Sequence, residues 1–304
     1  MKSNGVLCRI RQIFSVTIYN FRQWHRNSRV VVTFLLAFIL CFLLTDKAVH
    51  FAHAHGTTIQ IMEPFIWTFG DSNSILLSSL LLLLLFADMP FLSPGTPFFL
   101  VRINRTVWML GQILYVTVAT LMYLLFIFAA TAFVCMTNAF SGNMWSRTAA
   151  LLGYSGEGKS IAIPALVKTL EMSKPYDCTK TIFLLMLLYT LTMVFLMLFF
   201  NIWMGQATGV ISVFLYTVYG FLMNPENLVN IFRLPTQLAY KANVWVGWLS
   251  PLNQATYHMH NFGYDKLPKL WQSYVVFGTM FMVLTVLSLQ AIRHYSFQFR
   301  GTET

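Results

Sequence analysis

Six stretches of this chain are apolar over lengths that a water-soluble fold has no means of burying, and that patterning constrains everything else. A bilayer core about 30 Å thick needs about 20 apolar residues in helical form, because unpaired backbone groups are not tolerated in hydrocarbon. The stretches run from about Ser28 to Thr45, Ser72 to Phe91, Val107 to Met136, Thr181 to Met204, Thr208 to Met223 and Ser273 to Ile292. The centre of the second, Ile75 to Phe86, has only Ser78 and Ser79 among its leucines and other apolar residues, worth roughly −3 to −6 kcal/mol of insertion free energy. Only 10% of the chain is charged, against about 25% in a soluble domain. The predicted fold is therefore an all-α integral membrane protein with six transmembrane helices. The fifth stretch is the shortest, and the segment after it, containing Trp245 and Trp248, reads as half-inserted.

Ahead of the first span, Leu7, Ile10, Phe14, Ile18 and Phe21 recur every three or four residues while Arg9, Gln12, Asn20 and Gln23 fall elsewhere. This predicts an amphipathic helix on the membrane surface, held by anionic lipid, contacting a partner, or both. An even number of spans puts both termini on one side. Placing them inside gives the cytoplasm Lys2, Arg9, Arg11, Arg22, Arg26, Arg29, Arg102, Arg105, Arg293 and Arg300 against Asp88 and Glu303. The remaining cations share the longer outer loops with all the other acids, so Lys and Arg density orients both termini inward. The expected organisation is a cytoplasmic amphipathic helix over 1–27, a six-span domain over 28–292 and a cytoplasmic tail over 293–304. Within the domain, 87–107 is the cytoplasmic loop and 46–71, 137–180 and 224–272 are external. No short apolar run with a small-residue cleavage site precedes the first span, which suits a retained helix better than a signal peptide.

Several activities are disfavoured by what the spans lack. Proton- or sodium-driven transport and voltage sensing need ionisable groups at depth, yet the third to sixth stretches contain none in their cores. Gly153 to Ser160 satisfies the phosphate-loop pattern GxxxxGK[ST]. It lies, however, in an external loop of about 40 residues, too small for a nucleotide-binding domain, and reads as a Gly/Ser turn before a short helix over Ile161–Met172. Gly153-x-Ser155-Gly156 resembles the serine motif of rhomboid proteases, but a serine needs a histidine base beside it. His258 and His260 precede the last span and His294 lies beyond it. An intramembrane serine hydrolase is thus an alternative rather than the leading reading. His50, His53 and His55, with His258 and His260, gather on the outer face without an Asp, Glu or Cys ligand at helical spacing, and read as interfacial histidines rather than a metal site. The four cysteines form no CxxC pair; Cys135 and Cys178 bracket the third external loop and could pair in an oxidising compartment.

The cytoplasmic loop carries the most specific signal. Pro90, Pro94 and Pro97 end the second helix and shape a compact turn. Arg102, Arg105 and Trp108 then follow at intervals of three, which predicts one shared helical face at the membrane boundary. Phe86, Ala87, Asp88, Pro90, Phe91, Arg102, Arg105, Trp108, Gly111 and Gln112 together resemble the motif F-(A/S)-D-x-P-F…R-x-x-R-x-x-W-x-x-G-Q of ABC-2-type transporter permeases. The turn at Gly205–Gly209 and Ser250-Pro251 before the sixth span fit the same resemblance, while the 137–180 loop is longer than the family's usual third-to-fourth connection. The resemblance implies type V exporter-like architecture, a permease subunit that is not itself an enzyme, and a separate cytoplasmic ATPase holding the ATP and magnesium. It also implies a second permease chain, identical or not, and a plasma-membrane location; no nucleic acid and no cofactor on this chain are expected. The docking surface it implies is formed by Asp88, Pro90, Pro94, Pro97, Arg102, Arg105 and Trp108, helped by Arg9, Arg11 and Arg22. A non-catalytic channel or scaffold subunit is the remaining alternative.

Overall fold

The computed structural model describes residues 2–91, 96–155, 157–160, 163, 167–233, 235, 238–263 and 265–297. Helix α1 (Lys2–Arg22) leads through one tight turn into α2 (Ser28–Ala54), whose N-terminus is capped by the Asn27 side chain accepting from the Arg29 amide at 3.1 Å. Strand β1 (Ile59–Gln60), α3 (Glu63–Phe69), α4 (Ser72–Phe86), α5 (Thr96–Arg102) and α6 (Arg105–Val134) follow. Then come β2 (Ala139–Phe140) and three short helices, α7 (Arg147–Tyr154), α8 (Glu157–Ser160) and α9 (Val167–Met172). The second half comprises α10 (Pro175–Met204), α11 (Gln206–Leu222), α12 (Pro225–Phe232), α13 (Ala239–Leu249), α14 (Pro251–Ala255) and α15 (Leu270–His294).

Among the described residues α2, α6, α10 and α15, of 25 to 30 residues, are long and apolar enough to cross a membrane. The other two expected spans are shorter. Helix α4 has 15 residues, and α3 meets it at 87° instead of extending it; α11 has 17. At 1.5 Å per residue these measure about 22 and 26 Å, short of the hydrocarbon thickness. The second span was expected to reach Phe91, but helical structure ends at Phe86, ahead of Pro90, which has no amide proton to continue a ladder. Conversely α2 runs nine residues past Thr45, so Asp46, Lys47, His50 and His53 lie on helix rather than in an external loop.

Helix α10 is the axis of the bundle, touching α3, α4, α6, α11, α14 and α15. In its most apolar stretch 67% is buried, against 22% for α15 and 28% for α2, whose outer apolar faces are left uncovered by the rest of the chain. Several interior polar side chains bond to helix carbonyls: Ser78 and Ser79 both donate to the Ile75 carbonyl, and the Tyr123 hydroxyl donates to the Ser78 carbonyl at 2.9 Å, whereas the Thr33, Thr120, Tyr189 and Ser288 hydroxyls are buried without a partner among the described residues. The α10–α11 reversal takes one residue, Gly205, at φ +103°, a conformation open to glycine. Gly209 then lies so close to Asn201 that a Cβ would sit 1.7 Å from its Oδ1.

At the end of the bundle away from the termini, β1 and β2 pair in parallel and the loops close into a cap. The fully buried Glu63 carboxylate accepts from the Ser146 amide at 2.6 Å, the Ser146 hydroxyl at 2.5 Å and the Gln60 amide at 3.4 Å. Lys168 donates to the His258 and His260 carbonyls (3.3 and 3.0 Å) and to Asp265 (2.7 Å). Fully buried His260 places Nδ1 3.0 Å from the Thr256 carbonyl and Nε2 3.0 Å from the Ser273 hydroxyl. Burial lowers His260 to about 4 and raises Glu63 to about 7.

The two shifts have opposite consequences. Between about 6.5 and 4 the unfolded chain binds the His260 proton that the fold refuses, so that contribution holds at higher pH and is lost on acidification. Between about 4.5 and 7 the fold holds the Glu63 proton more tightly, so that contribution is lost as pH rises. Thermal unfolding of wild type and His260→Gln compared from pH 7 to 4 cancels the Glu63 effect. The variant is expected to flatten the acid loss by up to about 1.4 kcal/mol per pH unit; parallel curves would contradict a buried neutral imidazole.

Candidate functional site

The motif residues converge at the opposite end of the bundle, where α1, the start of α2 and the end of α15 lie. Asp88, just after α4, pairs with Arg29 at the start of α2; both are half-exposed, so the pair contributes little energy. Asn201, near the end of α10, donates to the Met89 carbonyl at 2.8 Å, and Pro90 is buried beside it. Phe91 meets the ring of Tyr115 edge-on at 5.2 Å. The turn after α4 is thereby fastened to α2, α6 and α10. Pro94 lies outside the described residues, and Pro97 is half-buried in the first turn of α5.

Arg102, Arg105 and Trp108 do not share one face, because the helix breaks at Ile103–Asn104 and restarts at Arg105. Arg102 ends α5 and is exposed. Arg105 donates from Nη1 to the Arg293 and Tyr295 carbonyls, both at 3.1 Å, and its guanidinium lies 5.4 Å from the Phe297 ring. It thus satisfies carbonyls that the end of α15 leaves without helical partners. Trp108 is 1% exposed and packs edge-on against Phe297 at 5.4 Å, so it is a core residue and not the boundary aromatic the spacing suggested. Arg105→Ala is expected to free the tail while leaving the fold intact. Hydrogen exchange at amides 290–297 should rise about tenfold, in line with the net worth of such bonds; unchanged exchange would mean that other contacts hold the tail.

The rest of the motif seats α1. The Thr17 hydroxyl donates to the Gly111 carbonyl at 3.0 Å, Asn20 donates to Gln112 Oε1 at 3.1 Å, and Trp24 Nε1 donates to the Tyr115 hydroxyl at 2.7 Å. Gly111 permits this approach, since a Cβ there would meet Val16 at 2.7 Å. Trp108, Gly111, Gln112 and Tyr115 recur at three- and four-residue spacing and so form one stripe of α6. The apolar stripe read from the α1 sequence faces out of the bundle, as a helix lying on a membrane surface requires: Leu7, Ile10, Phe14 and Ile18 are exposed, while Val16, Thr17 and Asn20 are buried against α6.

What remains open at this end is α5 and the charged side of α1. Phe98 is 75% and Val101 88% exposed, with Arg102 beside them. Arg9, Arg11 and Arg22 are exposed on α1. Sequence spacing alone missed Phe98 and Val101, although FF-x-V within a charged loop is an available signal: large apolar residues without a helical partner face.

The other sequence candidates resolve differently. The Ser155 hydroxyl donates to the Leu151 carbonyl and accepts from the Glu157 amide at 3.2 Å, an arrangement that starts α8. Gly156 and the side chains of Lys159 and Ser160 lie outside the described residues, and Gly158 abuts the Leu152 carbonyl, where a Cβ would lie 2.7 Å away. The helix expected from Ile161 is described as α9, from Val167. Among the described residues no three His, Cys, Asp or Glu side chains gather as a metal site. His50 pairs with Asp46 at 3.4 Å and His55 with Glu157 at 3.6 Å, while His53 meets Asn138. Cys135 and Cys178 are separate, buried thiols. Comparison with protein-family models, curated proteins and solved structures finds no match.

Proposed function

We propose that the chain is the membrane-spanning permease subunit of an ATP-driven exporter of the ABC-2 type, worked by a separate cytoplasmic ATPase. The observation that carries this reading is α5: a seven-residue helix between α4 and α6 whose Phe98 and Val101 stand open beside Arg102. Exposed aromatic and aliphatic side chains next to an arginine are the composition of a protein–protein anchor. Its flanking turn is fastened to α2, α6 and α10, so force applied at α5 reaches the long helices directly. The scarcity of ionisable residues inside those helices agrees with an energy source outside the chain.

In this reading both termini and α5 are cytoplasmic, the short α4 and α11 complete six crossings, and a second permease chain, the same or different, shares the path in the plasma membrane. The docking surface is narrower than the spacing implied. Phe98, Val101 and Arg102 on α5, with Arg9, Arg11 and Arg22 on α1, face a partner, whereas Asp88, Pro90, Arg105 and Trp108 shape and hold it. Purification of the tagged chain in mild detergent is expected to bring down an ATP-hydrolysing protein in stoichiometric amount. A chain that moves substrate when reconstituted alone would contradict the proposal.

A further inference from the structure

A tyrosine taken into a protein interior normally finds a partner for its hydroxyl. In this chain Tyr115 accepts from Trp24, Tyr123 donates to the Ser78 carbonyl and Tyr219 donates to the Leu249 carbonyl. Tyr189 and Tyr216 differ: both hydroxyls are buried without a hydrogen-bond partner among the described residues. Tyr189 lies at the middle of α10 and Tyr216 in the second half of α11, and their rings stack at 5.7 Å. Ile75, Met193, Val213, Leu252 and Phe277 form the apolar shell around them.

The Thr33, Thr120 and Ser288 hydroxyls are buried without partners as well, but they stand on Cβ and reach a carbonyl of their own helix by turning about one bond. A phenol has no such recourse, because the ring carries its hydroxyl away from the backbone of its own turn. An unmade hydrogen bond is most costly in apolar surroundings, and a phenylalanine would pack the same ring without that cost. Two such phenols side by side in one apolar shell call for a guest that forms hydrogen bonds. Water is the smallest such guest, it both donates and accepts, and it is the usual partner of buried polar groups that a chain does not satisfy itself. A further unpartnered atom lies at the base of the same seam: Asn201 Oδ1 on α10, against which Gly209 of α11 is pressed.

We propose that Tyr189 and Tyr216 form a buried polar site that binds water between α10 and α11, within the apolar interior of the bundle. The α10–α11 seam is then a place where a hydrogen-bonding oxygen is held among apolar side chains. This goes beyond the permease reading and needs neither an ATPase nor a transported molecule, so the two fail separately.

The test is X-ray hydroxyl-radical footprinting of the full chain purified alone, in which radicals formed from bound water oxidise the tyrosine and methionine side chains beside it. Tyr189, Tyr216 and Met193 are expected to be oxidised at least about fivefold faster than Tyr123 and Met109, which are equally inaccessible from outside but have no site of this kind beside them. Tyr189→Phe with Tyr216→Phe should bring Met193 down to the rate of Met109 without lowering the melting temperature. Slow oxidation of all five wild-type residues, or equal oxidation of all five, would overturn the assignment. So would fast oxidation of Met193 in the folded double variant, which would mean that the seam opens to solvent and the hydroxyls hold nothing. If the double variant does not fold, the wild-type comparison decides alone.

Discussion

Replacing Gly111 with leucine is expected to release α1 from the bundle while the long helices stay assembled. The first atom of the new side chain would lie 2.7 Å from the Val16 Cβ and 3.2 Å from the Ile13 carbonyl oxygen, one fixed directly to the backbone and the other part of it, so neither is the far end of a flexible side chain. Overpacking costs about 1–3 kcal/mol. Losing the bonds from Thr17 to Gly111, from Asn20 to Gln112 and from Trp24 to Tyr115 adds about 1 kcal/mol each. A total of about 4–6 kcal/mol corresponds to an increase in local opening of roughly a thousandfold or more. Hydrogen exchange should show it across 12–24, with α10 protected as in wild type; Gly111→Ala should fall between the two. Unchanged protection in the leucine variant would mean that α1 is not seated on α6 in this way.

The second large effect concerns α5. Phe98→Asp, Val101→Asp and Arg102→Glu together are expected to abolish recovery of the partner ATPase while leaving the bundle folded, because all three side chains point away from the core. Losing two anchors worth about 2 kcal/mol each amounts to roughly a thousandfold in affinity, enough to empty a co-purification. Arg105→Gln should have a much smaller effect, since that guanidinium is committed to the tail carbonyls. The reverse ranking would place the docking surface on α6 and contradict the assignment to α5.

Much of the fold is legible from composition, because a run of 20 apolar residues has few fates. The four long helices and the apolar recurrence in α1 follow from that arithmetic. Two things were not legible. Periodicity identifies an apolar stripe but not what covers it: in water the stripe turns inward, whereas in a bilayer the close approach permitted by Gly111 and the hydrogen bonds of Thr17 and Asn20 decide which face of α1 is buried. Likewise, three residues at intervals of three share a face only if the helix is continuous, and the break at Ile103–Asn104 separates Arg102 from Arg105 and Trp108.

The motif was therefore readable as a pattern, while its use was not. Arg105 is spent on a helix end, Trp108 on packing against Phe297, and Gly111 and Gln112 on seating α1. Each of these is a contact across 90 or more positions of sequence, beyond the reach of local spacing. The far-end cap was invisible for the same reason: Glu63 meets Ser146 and Lys168 meets His260 only after the chain has crossed and returned.

The central claim is that α5 faces the cytoplasm, where an ATPase grips it. Sidedness tests it most directly. With Cys8 replaced by serine and the other native thiols buried, Val101→Cys supplies a reporter at a position 88% exposed, and Met144→Cys supplies one at the opposite end, 67% exposed. A membrane-impermeant maleimide applied to intact cells is predicted to label position 144 and to reach position 101 only after permeabilisation. Labelling of position 101 in intact cells would turn the bundle over and end the proposal.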